Sequence, residues 1–207
     1  GDELLFPSFT ACLNLGGFSN ISFRENGERR AFDICPVNIV LNSLANELGQ
    51  PFDKGGLLAK SGRLNRKLLA ELNALPVYHG PTRPSLAREW LEKEFMPLVD
   101  NAPISTTGKL RTVTEHAARQ MSAVINEKAF RGGILLTGGG VWNKFLMHRI
   151  VSLSKAIIMN HTSETTNFKE ALIFGFLGVL RMRNETNVLR SVTGAERDSC
   201  SGVICYP

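Results

Sequence analysis

Alternating apolar and polar positions mark the first part of the chain. They predict strands over residues 11–15, 18–23 and 31–35. The pairs Gly16-Gly17 and Asn26-Gly27 stand between these strands, and both are typical of two-residue hairpin turns. The pattern therefore predicts an antiparallel meander of three strands.

A helical pattern follows the meander. Pro36 halts the third strand and suits the first turn of a helix, where its missing N–H costs little. Gly49 suits the position just after the helix ends. The apolar stripe of this helix is formed by Ile39, Val40, Leu44 and Leu48.

The middle third, about residues 52–103, is predicted to be a helical and irregular insert. It contains an amphipathic segment at residues 64–75. Three prolines and a glycine interrupt residues 76–84, which predicts a surface loop there.

Strong helical periodicity returns after Asn101 and predicts a long packed helix that ends near Phe130. Its apolar positions, three or four residues apart, are Leu110, Val113, Ala117, Met121 and Val124. A buried strand at 133–137, a glycine turn, a helix at 143–153 and a strand at 155–159 are expected next. Strand, helix and strand in this order form the crossover unit of a parallel sheet.

The last third is predicted to hold one buried helix. Residues 167–181 are apolar nearly all round, and Ala171, Gly175 and Gly178 would allow close packing. A loop and a last strand are expected from residue 191 to the end. With no internal repeat or low-complexity linker, the whole pattern predicts one α/β domain with a mixed sheet.

Composition narrows the class of protein. The 207 residues are 43% apolar, which is enough for a core, and no apolar run reaches the roughly 18 residues of a membrane span. The first residues show no basic leader before an apolar run, so a soluble, unexported protein is expected. The net charge of +5 is scattered among 19 acidic residues, which argues against nucleic-acid binding.

Cysteine and histidine spacing indicates no metal site. The four cysteines show no paired spacing, so thiols in a reducing cytoplasm are expected rather than zinc ligands or disulfides. The four histidines lack ligand spacing and are expected to be surface or satisfied residues. They are His79, His116, His148 and His161.

The two glycine turns are the candidate chemistry. Gly138, Gly139 and Gly140 follow a buried strand and precede a helix, so their amides and the helix N-terminus could face an anionic ligand. The alternative is a tight packing turn. Gly16 and Gly17 carry the same ambiguity, because glycine pairs are common in hairpins.

Seven ordered motifs make the chain resemble the anhydro-N-acetylmuramic acid kinases. These belong to the superfamily of acetate and sugar kinases, heat-shock chaperones and actin. The motifs are "NLGGFSNIS", "FDICPVNIVLN", "PFDKGGLLAKSG", "RPSLAREW", "LLTGGGVWNKFLM", "KEALIFGFLGVL" and "SVTGA". Two departures stand out: Cys35-Pro36-Val37-Asn38 replaces Gly-Pro-Gly-Asn, and Asn167-Phe168 replaces acidic residues.

The resemblance implies a ribonuclease H-like actin/sugar-kinase ATPase domain, with a mixed sheet flanked by helices. The family's N-terminal half, with its Gly-Thr-Ser-x-Asp-Gly phosphate loop, has no counterpart here. The chain is therefore expected to be the C-terminal domain, residues 1–207, of a two-domain sugar kinase. The isolated chain is expected to be inactive, and a homodimer remains open.

The implied reaction is cytoplasmic and belongs to peptidoglycan recycling and amino sugar catabolism. Water opens the anhydro bridge of 1,6-anhydro-N-acetylmuramic acid while oxygen 6 takes the γ-phosphate of ATP, giving N-acetylmuramic acid 6-phosphate. Asp33, in the Phe-Asp motif, would be the general base. Its alternative role is to cap the helix that starts near Pro36.

The resemblance also implies the binding residues. Gly16, Gly17 and Asn20 would contact the phosphates and the Mg²⁺ hydration shell. Adenosine would lie against the second glycine turn and Asn143, which could instead cap a helix. Glu170 is a nucleotide-side candidate, although its spacing from Asn167 also fits a capping box.

Four residues are candidates for sugar contacts: Asn38, Ser85, Arg88 and Glu89. An arginine could hold the lactyl carboxylate of a muramic acid by two hydrogen bonds. Arg88 and Glu89 could equally lie on a solvated helix face. Two alternatives stay open: a non-catalytic nucleotide- or sugar-binding protein, which the altered Cys35 segment supports, and a scaffold that completes a partner's fold.

Overall fold

A five-stranded mixed sheet organises the protein. The computed structural model describes residues 1–80, 85–160 and 163–205. For Asn160 it describes only the backbone. The strands lie in the order β3-β2-β1-β4-β5 across the sheet. They are β1 (Ala11–Leu15), β2 (Phe18–Glu25), β3 (Glu28–Pro36), β4 (Ile134–Thr137) and β5 (Ile158–Asn160).

Helices surround the sheet and fill the stretch between β3 and β4. They are α1 (Asp2–Leu5), α2 (Asn38–Glu47), α3 (Leu57–Ser61), α4 (Arg66–Asn73), α5 (Arg88–Trp90), α6 (Met96–Asp100), α7 (Thr106–Lys128), α8 (Lys144–Leu153), α9 (Ser163–Met182) and α10 (Arg190–Thr193). Short 3₁₀ turns lie at Lys54–Gly56, Pro76–Tyr78 and Gly139–Trp142, and a π-helical turn lies at Leu91–Phe95. No helix within the described ranges combines the length and apolar character needed to cross a membrane.

The antiparallel meander is confirmed. β2 pairs with β1 on one side and with β3 on the other, both antiparallel. Asn26 and Gly27 both have positive φ, 52° and 83°, as a tight hairpin turn between twisted strands requires. β2 and β3 extend beyond the predicted ends, up to this turn.

The parallel crossover is also confirmed. β4 pairs in parallel with β1 and with β5, and α8 connects β4 to β5. β5 begins at Ile158, three residues later than predicted. All five periodic positions of α7 are buried, and this helix packs against β3, α2 and α8 to form the main core.

The start of α2 differs from the prediction. Pro36 ends β3, where it pairs with Phe18, and the helix begins at Asn38 after Val37. Leu48 is 39% exposed, and Leu41 is buried in its place. Gly49 has φ +73° and donates its N–H to the Asn46 carbonyl at 2.9 Å, so the predicted glycine end of the helix is confirmed.

The prediction that the last long helix is buried is wrong. α9 is longer than predicted and packs against β4 and the Gly139–Trp142 turn, while most of its apolar side chains face outward. Gly175 and Gly178 have open space beside them. The exposed large apolar side chains are Phe168, Leu172, Phe174, Val179 and Met182. The apolar pattern of the sequence predicts that this helix forms, but it does not predict which neighbouring elements cover it.

Two smaller predictions are also corrected. The end of the chain forms α10 and a single bridge between Val188 and Ser199, and residues 200–205 contain no strand. Tyr78 is buried in a 3₁₀ turn, so the proline-rich stretch is not entirely a surface loop. Residues 81–84, His161, Tyr206 and Pro207 lie outside the described residues.

The expected states of the thiols and of one histidine are confirmed. All four cysteines are unbridged thiols, and Cys12 and Cys35 are buried. His116 is fully buried, with its ring nitrogens 2.8 Å from Asn73 Oδ1 and 3.1 Å from the Tyr78 hydroxyl.

Candidate functional site

The carboxyl ends of four strands meet at one edge of the sheet. β1, β3, β4 and β5 all run in the same direction, because β2 is antiparallel to both of its neighbours. This edge therefore carries Gly16-Gly17, the start of α2 and Gly138–Gly140. Ligands of open α/β sheets bind at such an edge.

The second glycine turn packs against the end of β1, and this contact explains two of its glycines. A Cβ on Gly138 would lie 2.6 Å from Asn14 Oδ1 and 2.8 Å from the Leu15 carbonyl oxygen, and φ there is +86°. A Cβ on Gly140 would lie 2.7 Å from the Leu15 Cβ. Gly139 is exposed, and its nearest neighbour would be Asn38 Nδ2 at 3.8 Å. Gly138 and Gly140 thus serve packing, while Gly139 faces open space.

The first glycine turn holds the start of α2. The Gly17 carbonyl accepts hydrogen bonds from the N–H groups of Val37 and Ile39, at 2.8 and 3.2 Å. The Asn38 side chain donates to the Leu15 carbonyl at 3.0 Å. Cys35 and Val37 are buried in the core, so the departure from the family's Gly-Pro-Gly-Asn motif is accommodated by packing beneath the site.

A row of polar residues crosses the sheet next to this edge. Asp33 lies opposite Asn20, Asn20 opposite Asn14, and Asn14 opposite Thr137. Residues directly opposite each other project from the same face of a sheet. The Thr137 hydroxyl is 3.4 Å from Asn14 Oδ1, and Lys169 Nζ donates to the same hydroxyl at 3.3 Å.

The row ends in a buried ion pair. Lys169 is 8% exposed, and its Nζ lies 2.9 Å from Asp2 Oδ1. Burial by itself would raise the pKa of Asp2, but the Lys169 charge and the hydrogen bond from Ser22 outweigh it, so the pKa lies below its ordinary value. The ion pair links α1 to α9, and its Lys169 also holds the Thr137 hydroxyl by a hydrogen bond.

Asp33 is not a helix cap. α2 is preceded by Val37, and no side chain caps it, so the capping interpretation is wrong. Asp33 Oδ2 instead accepts hydrogen bonds from the Ser85 hydroxyl at 3.1 Å and the Leu86 N–H at 2.8 Å. The strand pairing shifts register beside Asp33, and such bulges re-aim side chains near active sites. Two predicted residues, Asp33 and Ser85, thus meet.

Other predicted residues lie apart from this group. Arg88 is exposed and donates to Glu92 at 2.8 Å, and Glu89 is exposed on the same short helix. This placement agrees with the alternative that Arg88 and Glu89 lie on a solvated helix face. Glu170 is exposed on α9. Its capping-box interpretation is wrong, because α9 begins at Ser163 and Asn167 lies inside the helix.

A cleft of about 990 Å³ opens beside the second glycine turn. Of the predicted residues, Asn38, Gly139 and Asn143 line it. Asn143 Oδ1 also accepts the Leu146 N–H at 3.0 Å, so its role as the cap of α8 is real. The cleft lining that sequence reasoning missed includes Phe52, Lys54, Lys60, Trp142, Lys144 and His148.

The cleft is suited to an anion. Among the described residues that line it, Asp53 is the one carboxylate, and it is buried and accepts the N–H groups of Leu58 and Ala59 at 2.8 and 2.9 Å. The lysines of the lining are exposed to the cleft and carry no ion pair among the described residues. A signal was present in the sequence, since Asp53 and Lys54 lie in the quoted motif "PFDKGGLLAKSG".

Comparison with known proteins decides the family. The family model for anhydro-N-acetylmuramic acid kinase matches residues 5–207. The chain belongs to the anhydro-N-acetylmuramic acid kinase family. It is 32% identical to the anhydro-N-acetylmuramic acid kinase of Vibrio cholerae, over 97% of this chain and 56% of that protein. The corresponding kinase of Mannheimia succiniciproducens is 33% identical, over 98% of the chain and 58% of the relative.

This member of the anhydro-N-acetylmuramic acid kinase family spans little more than half the length of these relatives. Solved structures agree on the fold. The activator of 2-hydroxyisocaproyl-CoA dehydratase from Clostridium difficile, with bound ADPNP, has a TM-score of 0.51 and 12% identity, covering 88% of this chain and 65% of that one. Component A of (R)-2-hydroxyglutaryl-CoA dehydratase from Acidaminococcus fermentans also scores 0.51, at 15% identity, covering 81% and 60%. The predicted ribonuclease H-like fold is confirmed.

Proposed function

We propose that this chain is the C-terminal part of an ATP-dependent kinase that opens 1,6-anhydro-N-acetylmuramic acid and phosphorylates its oxygen 6. The product is N-acetylmuramic acid 6-phosphate, and the setting is cytoplasmic recycling of cell-wall fragments. The observation that carries the proposal is the position of Asp33, in a polar row that runs from β3 to the glycine turn after β4. Family membership supports the same reaction.

Asp33 acts as the general base. Water attacks the anomeric carbon, the bond from that carbon to oxygen 6 breaks, and oxygen 6 takes the γ-phosphoryl group. The proton of the water passes to Asp33. Ser85 and Leu86 hold Oδ2, and among the described residues no hydrogen bond ends on Oδ1, which leaves that oxygen for the water.

ATP lies along the carboxyl edge of the sheet. Gly16, Gly17 and Asn20 contact the phosphates, and Gly139 and Asn143 lie beside the adenosine. Mg²⁺ prefers oxygen ligands, and the side-chain oxygen of Asn20 would fit its hydration shell. When bound, the ion neutralises the charge of the β- and γ-oxygens.

The sugar lies near the Ser85 side of Asp33. Ser85 is supported by its 3.1 Å hydrogen bond to the proposed base. Asn38 lies between the glycine turns and contributes from the edge of the cleft. For Arg88 to hold a lactyl carboxylate, it must leave its exposed pairing with Glu92, and Glu89 would then lie beside it.

The other wall of the site comes from outside this chain. The chain spans 56% of the Vibrio cholerae relative, and α9 exposes an apolar face with open glycines. The part of the longer protein outside residues 1–207 covers α9 and completes the cleft. Residues 1–207 alone are inactive because phosphoryl transfer needs positioning from both sides.

The test is an ATP-dependent phosphorylation assay of 1,6-anhydro-N-acetylmuramic acid. The longer protein that contains this chain is compared with its Asp33→Asn variant. Glu28→Gln, which removes an exposed carboxylate from the same strand, is the matched control. Sugar-dependent turnover that Asp33→Asn abolishes and Glu28→Gln preserves is expected.

A different result would overturn the proposal. If the longer protein is folded and binds ATP but produces no sugar phosphate, the chain is a non-catalytic binding protein on the same fold. If Asp33→Asn retains full turnover, the base is another residue.

A further inference from the structure

We propose that Phe52 and Trp142 form an aromatic clamp that holds the purine base of a nucleotide at the mouth of the cleft. This inference deepens the proposed function and rests on nucleotide use at the same site. It assigns base selection to Phe52 and Trp142, which lie within two of the ordered motifs but received no role from the resemblance.

The two aromatic residues line the cleft from two different turns, which form its two lips. Phe52 leads into the Lys54–Gly56 turn, and Trp142 ends the Gly139–Trp142 turn. Gly56 lies so close to Asn143 and Phe145 that any Cβ there would overlap them, and its φ is +74°. This contact locks the two turns against each other, so the separation of the two lips is set by the fold.

Both aromatic side chains are exposed to solvent, and packing against the core does not account for their positions. Trp142 is 53% exposed and Phe52 is 54% exposed. Trp90, the other tryptophan, packs against Tyr78 and Phe95 beside the core. Large rings that flank a concave surface supply stacking area for a planar ligand.

Each lip pairs its ring with a cation two residues later in the chain. Lys54 follows Phe52, and Lys144 follows Trp142. Both lysines line the cleft, and neither forms an ion pair with a described residue. A ligand with one flat base and an anionic tail matches this arrangement. A purine offers the rings more stacking surface than a pyrimidine does.

The test uses calorimetry of the longer protein that contains this chain. ADP should bind about fivefold or more tightly than CDP. Trp142→Ala and Phe52→Ala should each weaken ADP binding about tenfold. Trp142→Phe should restore most of the affinity. Circular dichroism verifies that each variant is folded.

The outcomes separate the clamp from the kinase. Equal affinity for ADP and CDP, or unchanged ADP affinity in both folded alanine variants, overturns the clamp. If both folded alanine variants of the longer protein keep their ADP affinity while the unsubstituted protein phosphorylates the sugar, the clamp is wrong and the kinase stands. If ADP binds through Trp142 but the longer protein makes no sugar phosphate, the clamp stands and the kinase is wrong.

Discussion

Glu115 and Arg149 join α7 to α8 through two parallel hydrogen bonds, at 2.8 and 3.1 Å. Glu115 is 1% exposed and also receives Arg119 at 3.0 Å and Arg111 at 3.4 Å. α8 begins directly after Asn143, which lines the cleft. This ion cluster therefore holds the helix that forms one wall of the candidate site.

Replacing the carboxylate should destabilise the protein. Glu115→Gln leaves three arginines without their shared partner, and the free energy of unfolding should fall by about 3 kcal/mol. Urea denaturation measures this loss. Lys67→Gln removes an exposed pair with Glu71 and should leave the midpoint unchanged. Equal effects of the two variants would show that the cluster contributes no more than a surface pair.

The same ion cluster makes the free energy of unfolding depend on pH in the acid range. Burial alone would raise the pKa of Glu115, but the hydrogen bonds from Arg149 and Arg119 outweigh it and lower the pKa to about 2. Its ordinary pKa is 4.5, so its contribution is fully present above that pH and is lost as the pH falls toward 2. In Glu115→Gln this part of the pH dependence of unfolding should disappear.

His116 should produce a second loss of stability at higher pH. Burial lowers its pKa from 6.5 to about 3, so it stays neutral in the folded state. Between these values the unfolded chain binds one more proton, and stability therefore falls as the pH falls. Urea midpoints measured across this range should decline less steeply in His116→Gln. The exposed His148→Gln serves as the control, and an unchanged slope in His116→Gln would contradict the assignment.

Two glycine substitutions should have opposite effects. Gly138→Ala places a Cβ against Asn14 and Leu15 at positive φ and should cost about 2 kcal/mol of folding free energy. Gly175→Ala lies inside α9 with open space around it and should raise stability by about 0.5 kcal/mol. Thermal unfolding of the two variants tests this, and tolerance of Gly138→Ala would show that the turn can shift.

In the 207-residue chain by itself, the exposed apolar face of α9 should be detectable in solution. Phe174 is 71% exposed, so Phe174→Glu should lower the binding of an apolar dye such as ANS without loss of stability. Leu4→Glu, at an exposed position on α1, is the control and should change dye binding less. Unfolding of Phe174→Glu would mean that the chain itself covers this face.

Local sequence patterns correctly predict the strands and turns that position the site. The meander followed from alternation and from the turn at Asn26-Gly27, and the crossover followed from a buried strand, three glycines and a periodic helix. Both signals are local, since period and turn chemistry act between near neighbours. Reasoning from local patterns failed at Pro36, because its place in β3 depends on pairing with Phe18 across the sheet.

The sequence by itself determined the five strands of the sheet, the main helices, both glycine turns and, through ordered motifs, the family. Only the tertiary structure decided that Asp33 meets Ser85, that Gly138 and Gly140 pack on β1 while Gly139 stays open, and that α9 is exposed. The reason is physical. Periodicity and turn chemistry are properties of neighbouring residues, whereas contacts between residues 33 and 85, or 15 and 138, depend on how separate elements are brought together.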